Sequence, residues 1–259
     1  MPLHAHRRGR GKPLLLVHGL GSSRNAWSLI GLALAEQREV IMVDLPGHGE
    51  SPAEPDSGTF AGVARSLDEW LDTEGLAGAD MVGSSMGGRL VLELSRRGRA
   101  GAVVALNPGG FWAGGERAYV FGSLTAMHVL LNAIKPTVPT LAHSAAARTM
   151  LLPQLLARPW ALNGDVAERE MKSVAETSTF EALASNLAFG PLQEGPAAPA
   201  SGPVTIGWGR QDRLLLPSQA ERAVAAFPGS RLHWFDHSGH FPMFDEPDET
   251  VAMIRSAIG

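Results

Sequence analysis

The chain of 259 residues contains no cysteine. This absence excludes disulfides, thiolate nucleophiles, iron–sulfur clusters and the zinc sites that need sulfur ligands. Charge of one sign is not in large excess either, because the formal net charge is -4. The composition therefore predicts neither nucleic acid nor an anionic membrane surface as a partner.

Long hydrophobic runs are also missing. The basic N-terminus leads to only four consecutive apolar residues, Leu14 to Val17, whereas a signal peptide needs roughly 7–15. The most apolar region, Val120 to Ile134, is interrupted by polar side chains, and a membrane span needs about 20 predominantly apolar residues. The sequence therefore predicts no contact with a membrane and a cytoplasmic location.

Hydrophobic residues make up 44% and charged residues 19% of the chain, as in a soluble α/β domain. Short aliphatic runs alternate with helical patterns, which predicts a mostly parallel, doubly wound sheet covered by helices. The candidate strands are Leu14–His18, Val40–Asp44, Asp80–Gly83, Ala102–Asn107, Val204–Trp208 and Arg231–Phe235. The candidate helices are Ala26–Glu36, Phe60–Leu71, Met86–Arg97, Pro217–Phe227 and Pro247–Ile258.

The alternation stops between Phe111 and Gly195, where aliphatic helical stretches are separated by prolines. A breaker-rich stretch, Gly195-Pro196-Ala197-Ala198-Pro199, then leads back to the strand pattern as a linker. We therefore predict a core formed by 1–110 and 196–259, with 111–195 inserted as a helical cap.

Gly83-Ser84-Ser85-Met86-Gly87 matches the pattern G-x-S-x-G. The string is weak evidence by itself, but a strand precedes it and a helix follows it. Such a sharp turn needs small neighbours and would project Ser85 above the carboxyl edge of the sheet. The pattern indicates Ser85 as a nucleophile, although an ordinary strand-to-helix turn remains the alternative.

A serine nucleophile needs a base, and a base needs a carboxylate that orients it. His240 follows the last candidate strand, and Asp212 lies in the loop after the strand ending at Trp208. Asp236 is a competing acid but lies too close to His240 in sequence. We therefore predict Ser85, Asp212 and His240 as catalytic residues.

The oxyanion of an acyl-transfer reaction needs hydrogen-bond donors. The backbone N–H of Met86, directly after the nucleophile, is one candidate. The N–H of Leu20, in the loop His18-Gly19-Leu20-Gly21, is the other. We expect His18 to brace this loop rather than to act as a base.

The same loop also begins a dinucleotide-binding pattern, with Asp44 about 20 residues further on. The third glycine of that pattern is replaced by Arg24, whose bulk would separate helix from strand. No H-E-x-x-H pattern occurs. The sequence therefore predicts neither a cofactor nor a metal.

Taken together, the sequence resembles the α/β-hydrolase superfamily along nearly its whole length. The matching segments are Val17-His18-Gly19-Leu20-Gly21, Asp44-Leu45-Pro46-Gly47-His48-Gly49-Glu50-Ser51, Gly83-Ser84-Ser85-Met86-Gly87-Gly88, Gly209-Arg210-Gln211-Asp212 and Gly239-His240-Phe241-Pro242. The resemblance implies the same triad, the same oxyanion donors and a cap between two core strands. The usual first strand is expected to be missing or rudimentary, since only Leu3–His6 precedes the strand at Leu14.

The subfamily stays open at this level. The carbon–carbon hydrolases of ring-cleavage products and the menaquinone-pathway synthase are similar, but both differ at Ser84. A non-catalytic receptor of the same fold is a further alternative. We favour a carboxylesterase that uses water and acts on the ester of a small to medium apolar substrate, with no prediction of its oligomeric state. The pocket is predicted from Phe111, Trp112, Leu131, Leu155 and Phe241.

Overall fold

The computed structural model describes residues 3–196 and 202–259. Within these residues one sheet of seven strands forms the centre of the fold. The strands are β1 (Ala5–Arg8), β2 (Pro13–Val17), β3 (Glu39–Val43), β4 (Asp80–Ser84), β5 (Val103–Leu106), β6 (Val204–Gly209) and β7 (Arg231–Phe235). Their order across the sheet is β1-β3-β2-β4-β5-β6-β7, and only the pairing of β1 with β3 is antiparallel.

The helices follow the strands in alternation, apart from one long insertion. They are α1 (Gly31–Leu34), α2 (Phe60–Thr73), α3 (Met86–Arg96), α4 (Glu116–Ala133), α5 (Val138–His143), α6 (Ala145–Leu151), α7 (Gly164–Glu176), α8 (Phe180–Phe189), α9 (Ser218–Ala226), α10 (Pro242–Asp245) and α11 (Pro247–Ile258). Short 3₁₀ turns occur at Arg24–Trp27, Lys135–Thr137 and Pro159–Ala161.

Both faces of the sheet are buried, as the continuous apolar run of β2 requires. Leu15 and Val17 pack into the layer that contains α2 and α3, whereas Leu14 and Leu16 pack with α11 and Trp27 on the other face. Successive side chains of a strand point to opposite faces, so one strand serves both layers. The prediction of a mostly parallel, doubly wound sheet is confirmed.

The strand predicted to be missing or rudimentary is present as β1, with four residues. Ala5 of β1 lies opposite Val43 of β3, and the three residues after Ala5 are exposed. This edge strand carries a polar sequence because it contacts the sheet on one side only. Hydrophobic alternation, the usual signal of a strand, is therefore absent from it.

The predicted helix Ala26–Glu36 is wrong in its extent. A 3₁₀ turn at Arg24–Trp27 replaces its beginning, and α1 is a separate single turn. The side chain of Ser23 accepts a hydrogen bond from the N–H of Asn25. This bond caps the start of the 3₁₀ turn, which is tighter than an α-helix.

Five helices, α4 to α8, lie between β5 and β6 and form the inserted cap. The described part of the segment 111–195 contains no strand, in agreement with the sequence pattern. The domain limits at 110 and 195 stay predictions, and positions 197–199 of the predicted linker lie outside the described residues. No helix among residues 3–196 and 202–259 is long and apolar enough to cross a membrane.

Candidate active site

The site is built around a strained turn between β4 and α3. Ser85 occupies that turn with φ 57° and ψ -115°, a conformation that side chains rarely adopt. A Cβ on Gly83 would lie 2.1 Å from the carbonyl oxygen of Gly87, and one on Gly87 would lie 2.1 Å from the carbonyl oxygen of Val17. The two glycines of the motif are therefore sterically required, as the G-x-S-x-G reasoning expects.

Hydrogen bonds hold the backbone of Ser85 on both sides. Its N–H donates to the carbonyl oxygen of Leu106 at 2.9 Å, and its own carbonyl oxygen accepts from the N–H of Arg89 at 3.0 Å and of Gly109 at 3.2 Å. The sheet and the first turn of α3 thus fix the strained residue, and its Oγ is left to face the chamber described below.

Asp212 and His240 meet in a buried pair. His240 Nδ1 lies 2.8 Å from Asp212 Oδ2, and Asp212 Oδ1 accepts from the N–H groups of Leu214 and Leu215 at 2.8 and 2.9 Å. Asn107 Nδ2 donates to Asp212 Oδ2 at 2.6 Å. A carboxylate that only accepts hydrogen bonds requires the proton on Nδ1, which leaves the lone pair on Nε2.

The competing acid, Asp236, lies elsewhere. It is exposed and forms an ion pair with Arg210, whose Nε is 2.6 Å from Asp236 Oδ1. The structure therefore brings Asp212, and not Asp236, to the imidazole of His240.

Ser85 and His240 line the same chamber. His240 Nε2 is buried and has no hydrogen-bond partner among the described residues. Contacts between a nucleophile and its base are often loose without substrate and tighten in the complex. The histidine with the unpartnered nitrogen and the candidate nucleophile Ser85 therefore share one compartment.

The candidate oxyanion donors belong to two segments that approach each other closely. A Cβ on Gly19 would lie 3.1 Å from Cβ of Ser85. The loop carrying Leu20 therefore passes directly beside the strained turn at Ser85, which we call the elbow. The N–H groups of Leu20 and Met86 donate to no acceptor within residues 3–196 and 202–259. Two free donors beside a nucleophile are the chemical requirement of an oxyanion hole.

His18 braces this loop in the manner expected. Its Nε2 accepts from the N–H of Leu45 at 3.0 Å, so Nδ1 carries the proton and donates to the carbonyl oxygen of Gly19 at 2.7 Å. Burial lowers the pKa of His18 to about 4. Burial and the nearby His18 lower the pKa of His48 to about 3, and the two ring centroids are 5.2 Å apart. Both rings are therefore neutral near pH 7.

A chamber of about 60 Å³ connects the core site with the cap. Of the predicted pocket residues, Leu131, Leu155 and Phe241 line it. Phe111 and Trp112 do not line it: Phe111 packs edge-on against Phe227, with the ring centroids 6.4 Å apart, and Trp112 is buried beside Gly109. Apolar side chains that the sequence did not single out complete the wall: Leu124, Met127, Leu152, Met171, Val174 and Leu214.

Two polar residues in the wall were also missed. Glu170 of α7 and Ser22 line the chamber, and the Ser22 hydroxyl donates to Glu170 Oε2 at 2.6 Å. Burial raises the pKa of Glu170 to about 7, against the opposing effect of the Ser22 hydrogen bond. The sequence holds no signal for this contact, since a glutamate among charged residues of a helix is typical of a solvated face.

The residues of the dinucleotide pattern have other partners. Asp44 Oδ1 accepts from the backbone N–H of Arg24 at 2.7 Å, and Asp44 Oδ2 forms an ion pair with the guanidinium of Arg24. The carboxylate of Asp44 is therefore bound by Arg24, the residue that stands where the dinucleotide pattern has its third glycine. In the described part of the chain, no group of three or more His, Asp or Glu side chains could hold a metal ion.

The chain is similar to known proteins along nearly its whole length. The model of the family described as "Alpha/beta hydrolase family" matches residues 14–253. The acetyltransferase component of an acetoin cleaving system from Cupriavidus necator is 28% identical over 99% of this chain, and the match covers 66% of that relative's length. The 2-hydroxy-6-oxo-6-phenylhexa-2,4-dienoate hydrolase of Burkholderia cepacia is 26% identical over 95% of this chain and 87% of its own.

Among solved structures, a thermophilic esterase from Thermogutta terrifontis matches with a TM-score of 0.77. The match covers 98% of this chain and 92% of that one, at 22% sequence identity. At that identity the likeness concerns the fold alone.

Proposed function

The chain belongs to the alpha/beta hydrolase family, and from that premise we propose that it is a serine hydrolase of carboxylic esters with a short, apolar acyl group. One observation carries the proposal. His240 is bound to Asp212 through Nδ1, its Nε2 has no hydrogen-bond partner among the described residues, and His240 lines the chamber that Ser85 also lines. A proton acceptor and a hydroxyl in one compartment are the elements of nucleophilic catalysis.

In the proposed mechanism, Ser85 Oγ attacks the ester carbonyl carbon while His240 Nε2 takes the hydroxyl proton. The oxyanion accepts hydrogen bonds from the N–H groups of Leu20 and Met86, and each such donor contributes about 2.7–4 kcal/mol to lowering the barrier. The carbon–oxygen bond to the alcohol then breaks, and His240 returns the proton to the leaving oxygen.

Water completes the cycle. His240 takes a proton from the attacking water, the hydroxide adds to the acyl carbon, and the bond from that carbon to Ser85 Oγ breaks. The proton on His240 returns to Ser85 Oγ. The carboxylic acid and the free enzyme result.

The character of the chamber favours an ester over the substrates of the alternative reactions. Among described residues the wall is aliphatic and aromatic apart from Ser22, Ser85, Glu170 and His240, and it contains no lysine or arginine. The dienoate named for the Burkholderia cepacia relative carries a carboxylate, which needs a cationic partner when it is desolvated. A narrow apolar chamber instead fits a small uncharged acyl group.

Arg89, the arginine behind the elbow, does not supply that cation. Its Nη2 donates to the carbonyl oxygen of Pro191 at 2.6 Å, and its guanidinium stacks on the ring of Phe60 at 4.0 Å. It lies outside the lining of the chamber. In this chain Arg89 therefore serves packing, through its contacts with Pro191 and Phe60.

Two measurements test the proposal. A fluorophosphonate probe should label the protein once, on the peptide containing Ser85, and the Ser85→Ala variant should not be labelled. Hydrolysis rates of p-nitrophenyl esters of increasing chain length should favour short acyl groups, with no turnover of a ring-cleavage dienone measured in parallel. Cleavage of the dienone with inert esters, or labelling at Ser84, would refute the proposal.

A further inference from the structure

The proposed mechanism leaves one carboxyl group in the chamber without a task. Glu170 lines the same space as Ser85 and His240, although it belongs to the cap helix α7. Its Oε2 accepts the hydrogen bond from Ser22, and its Oε1 has no hydrogen-bond partner among residues 3–196 and 202–259. One oxygen of the group is therefore held in position while the other is available to whatever occupies the chamber.

The surroundings of Glu170 allow the negative charge of its carboxylate to act strongly on a bound molecule. Most of the wall is apolar, so few polar groups screen the carboxylate from a bound molecule. His240 is the other titratable residue of the described wall, and it must be neutral to act as a base. The charge of the neighbouring Arg169 acts to lower the pKa of Glu170 and so favours the carboxylate, but Arg169 borders a different cleft, which Asp44 and Glu50 also line.

On the basis of the proposed function, we propose that Glu170 determines substrate charge: it excludes esters that carry a carboxylate and admits neutral ones. Two like charges in one desolvated compartment repel each other strongly, whereas a neutral ester meets only a hydrogen-bond acceptor. Selection of this kind acts through repulsion and needs no additional contact to the accepted substrate.

The test uses matched esters that differ in charge and little in shape. On the acyl part the pair is mono-p-nitrophenyl glutarate and p-nitrophenyl 5-methylhexanoate. On the alcohol part the pair is 3-carboxyphenyl acetate and 3-isopropylphenyl acetate. The ratio of specificity constants, neutral over anionic, is measured above pH 8, where Glu170 is ionised. Spontaneous hydrolysis is subtracted with the Ser85→Ala protein.

We expect the ratio to fall about tenfold or more in Glu170→Gln for at least one pair, through faster cleavage of the anionic ester. The glutamine keeps an oxygen that accepts from Ser22 and removes only the charge. Glu168→Gln is the matched control, because Glu168 lies on the same helix but bonds Lys172 outside the chamber. Unchanged ratios for both pairs in Glu170→Gln, or an equal change in the control, would overturn the inference.

A binding measurement separates this inference from the proposed function. In the Ser85→Ala background, calorimetric titration gives Kd for the two phenyl acetates with and without Glu170→Gln. If the wild-type protein cleaves no ester, the proposed function fails. The inference then holds if the glutamine variant binds the anionic acetate about tenfold tighter, and it falls if Kd stays the same.

Discussion

Replacing Asp212 by asparagine perturbs the site at one atom, and the structure determines which atom. Asp212 Oδ1 accepts from two backbone N–H groups, those of Leu214 and Leu215. The amide oxygen must stay on that side, because the NH₂ group would otherwise face two donors. The NH₂ group is therefore forced into the position of Oδ2, between Asn107 Nδ2 and His240 Nδ1.

In that position the amide donates to Nδ1 and reverses the tautomer of His240. The proton moves to Nε2, which can then no longer accept the proton of Ser85. A reversed tautomer of this kind costs about 10⁴ in kcat, or about 5 kcal/mol of barrier. The NH₂ group also faces the donor Nδ2 of Asn107, and a buried donor without an acceptor costs about 1–3 kcal/mol of unfolding free energy.

The assay is the initial rate of p-nitrophenyl acetate hydrolysis, with an unfolding curve for each variant. Asp236→Asn is the matched control, since Asp236 is exposed and its pairing with Arg210 is worth little. We expect Asp212→Asn to lose about four orders of magnitude while it still folds, and Asp236→Asn to stay within about twofold. A near-wild-type rate for Asp212→Asn would refute the reasoning.

Three further predictions follow from the same contacts. His18 and His48 have pKa values lowered to about 4 and about 3, so the stability they contribute is complete above the unfolded value of 6.5 and is lost progressively as the pH falls from 6.5 toward their folded values. Denaturant unfolding at pH 7, 5.5 and 4.5 should show losses of up to about 1.4 kcal/mol per pH unit for each ring, and a flat profile would contradict this. Leu131→Trp should lower kcat/KM for butyrate esters about tenfold or more while acetate is still cleaved, and an unchanged chain-length profile would remove Leu131 from the pocket. Gly19→Ala places a Cβ 3.1 Å from Cβ of Ser85, so it should lower kcat about tenfold or more without lowering the unfolding midpoint. Full activity of this variant would contradict the close approach of the Gly19 loop to Ser85.

The parts of the site that the sequence could predict are those set by local rules. The elbow at Ser85 needs small residues at fixed spacing, so it can be recognised in the sequence as the motif G-x-S-x-G. The positions of Asp212 and His240 follow from the ends of recognisable strands, because parallel strands deliver their following loops to one edge of the sheet. The buried strands themselves are visible as continuous apolar runs.

The parts that escaped prediction depend on contacts between distant residues. Ser22 and Glu170 are 148 positions apart, and Asn107 and Asp212 are 105 apart. No local pattern marks either pair, because each residue alone is compatible with a solvated loop or helix. Asn107 is visible in the sequence only as the end of a predicted strand, yet its amide donates to the Asp212 carboxylate.

The cap supports the backbone of His240, the proposed base. The N–H of His240 donates to the carbonyl oxygen of Leu155 at 2.8 Å, so a cap residue holds the backbone of the base. Asp245 accepts from the N–H of Gly239 in the core and from those of Ala157 and Arg158 in the cap, at 2.9, 2.9 and 3.0 Å. Burial raises the pKa of Asp245 against the effect of these three bonds.

Any motion of the cap that displaced 155–158 would consequently displace His240 as well. Elsewhere in the chamber, α4 and α7 contribute residues to the wall, and the bond from Ser22 to Glu170 ties α7 to the core. Breaking one hydrogen bond to a carboxylate costs about 1.5–3 kcal/mol. On the side of the base, three of the bonds named above join cap and core: that of His240 with Leu155, and those of Ala157 and Arg158 with Asp245. The segment 155–158 thus supports the proposed base, whereas Glu170 stands on α7, which these three bonds do not hold.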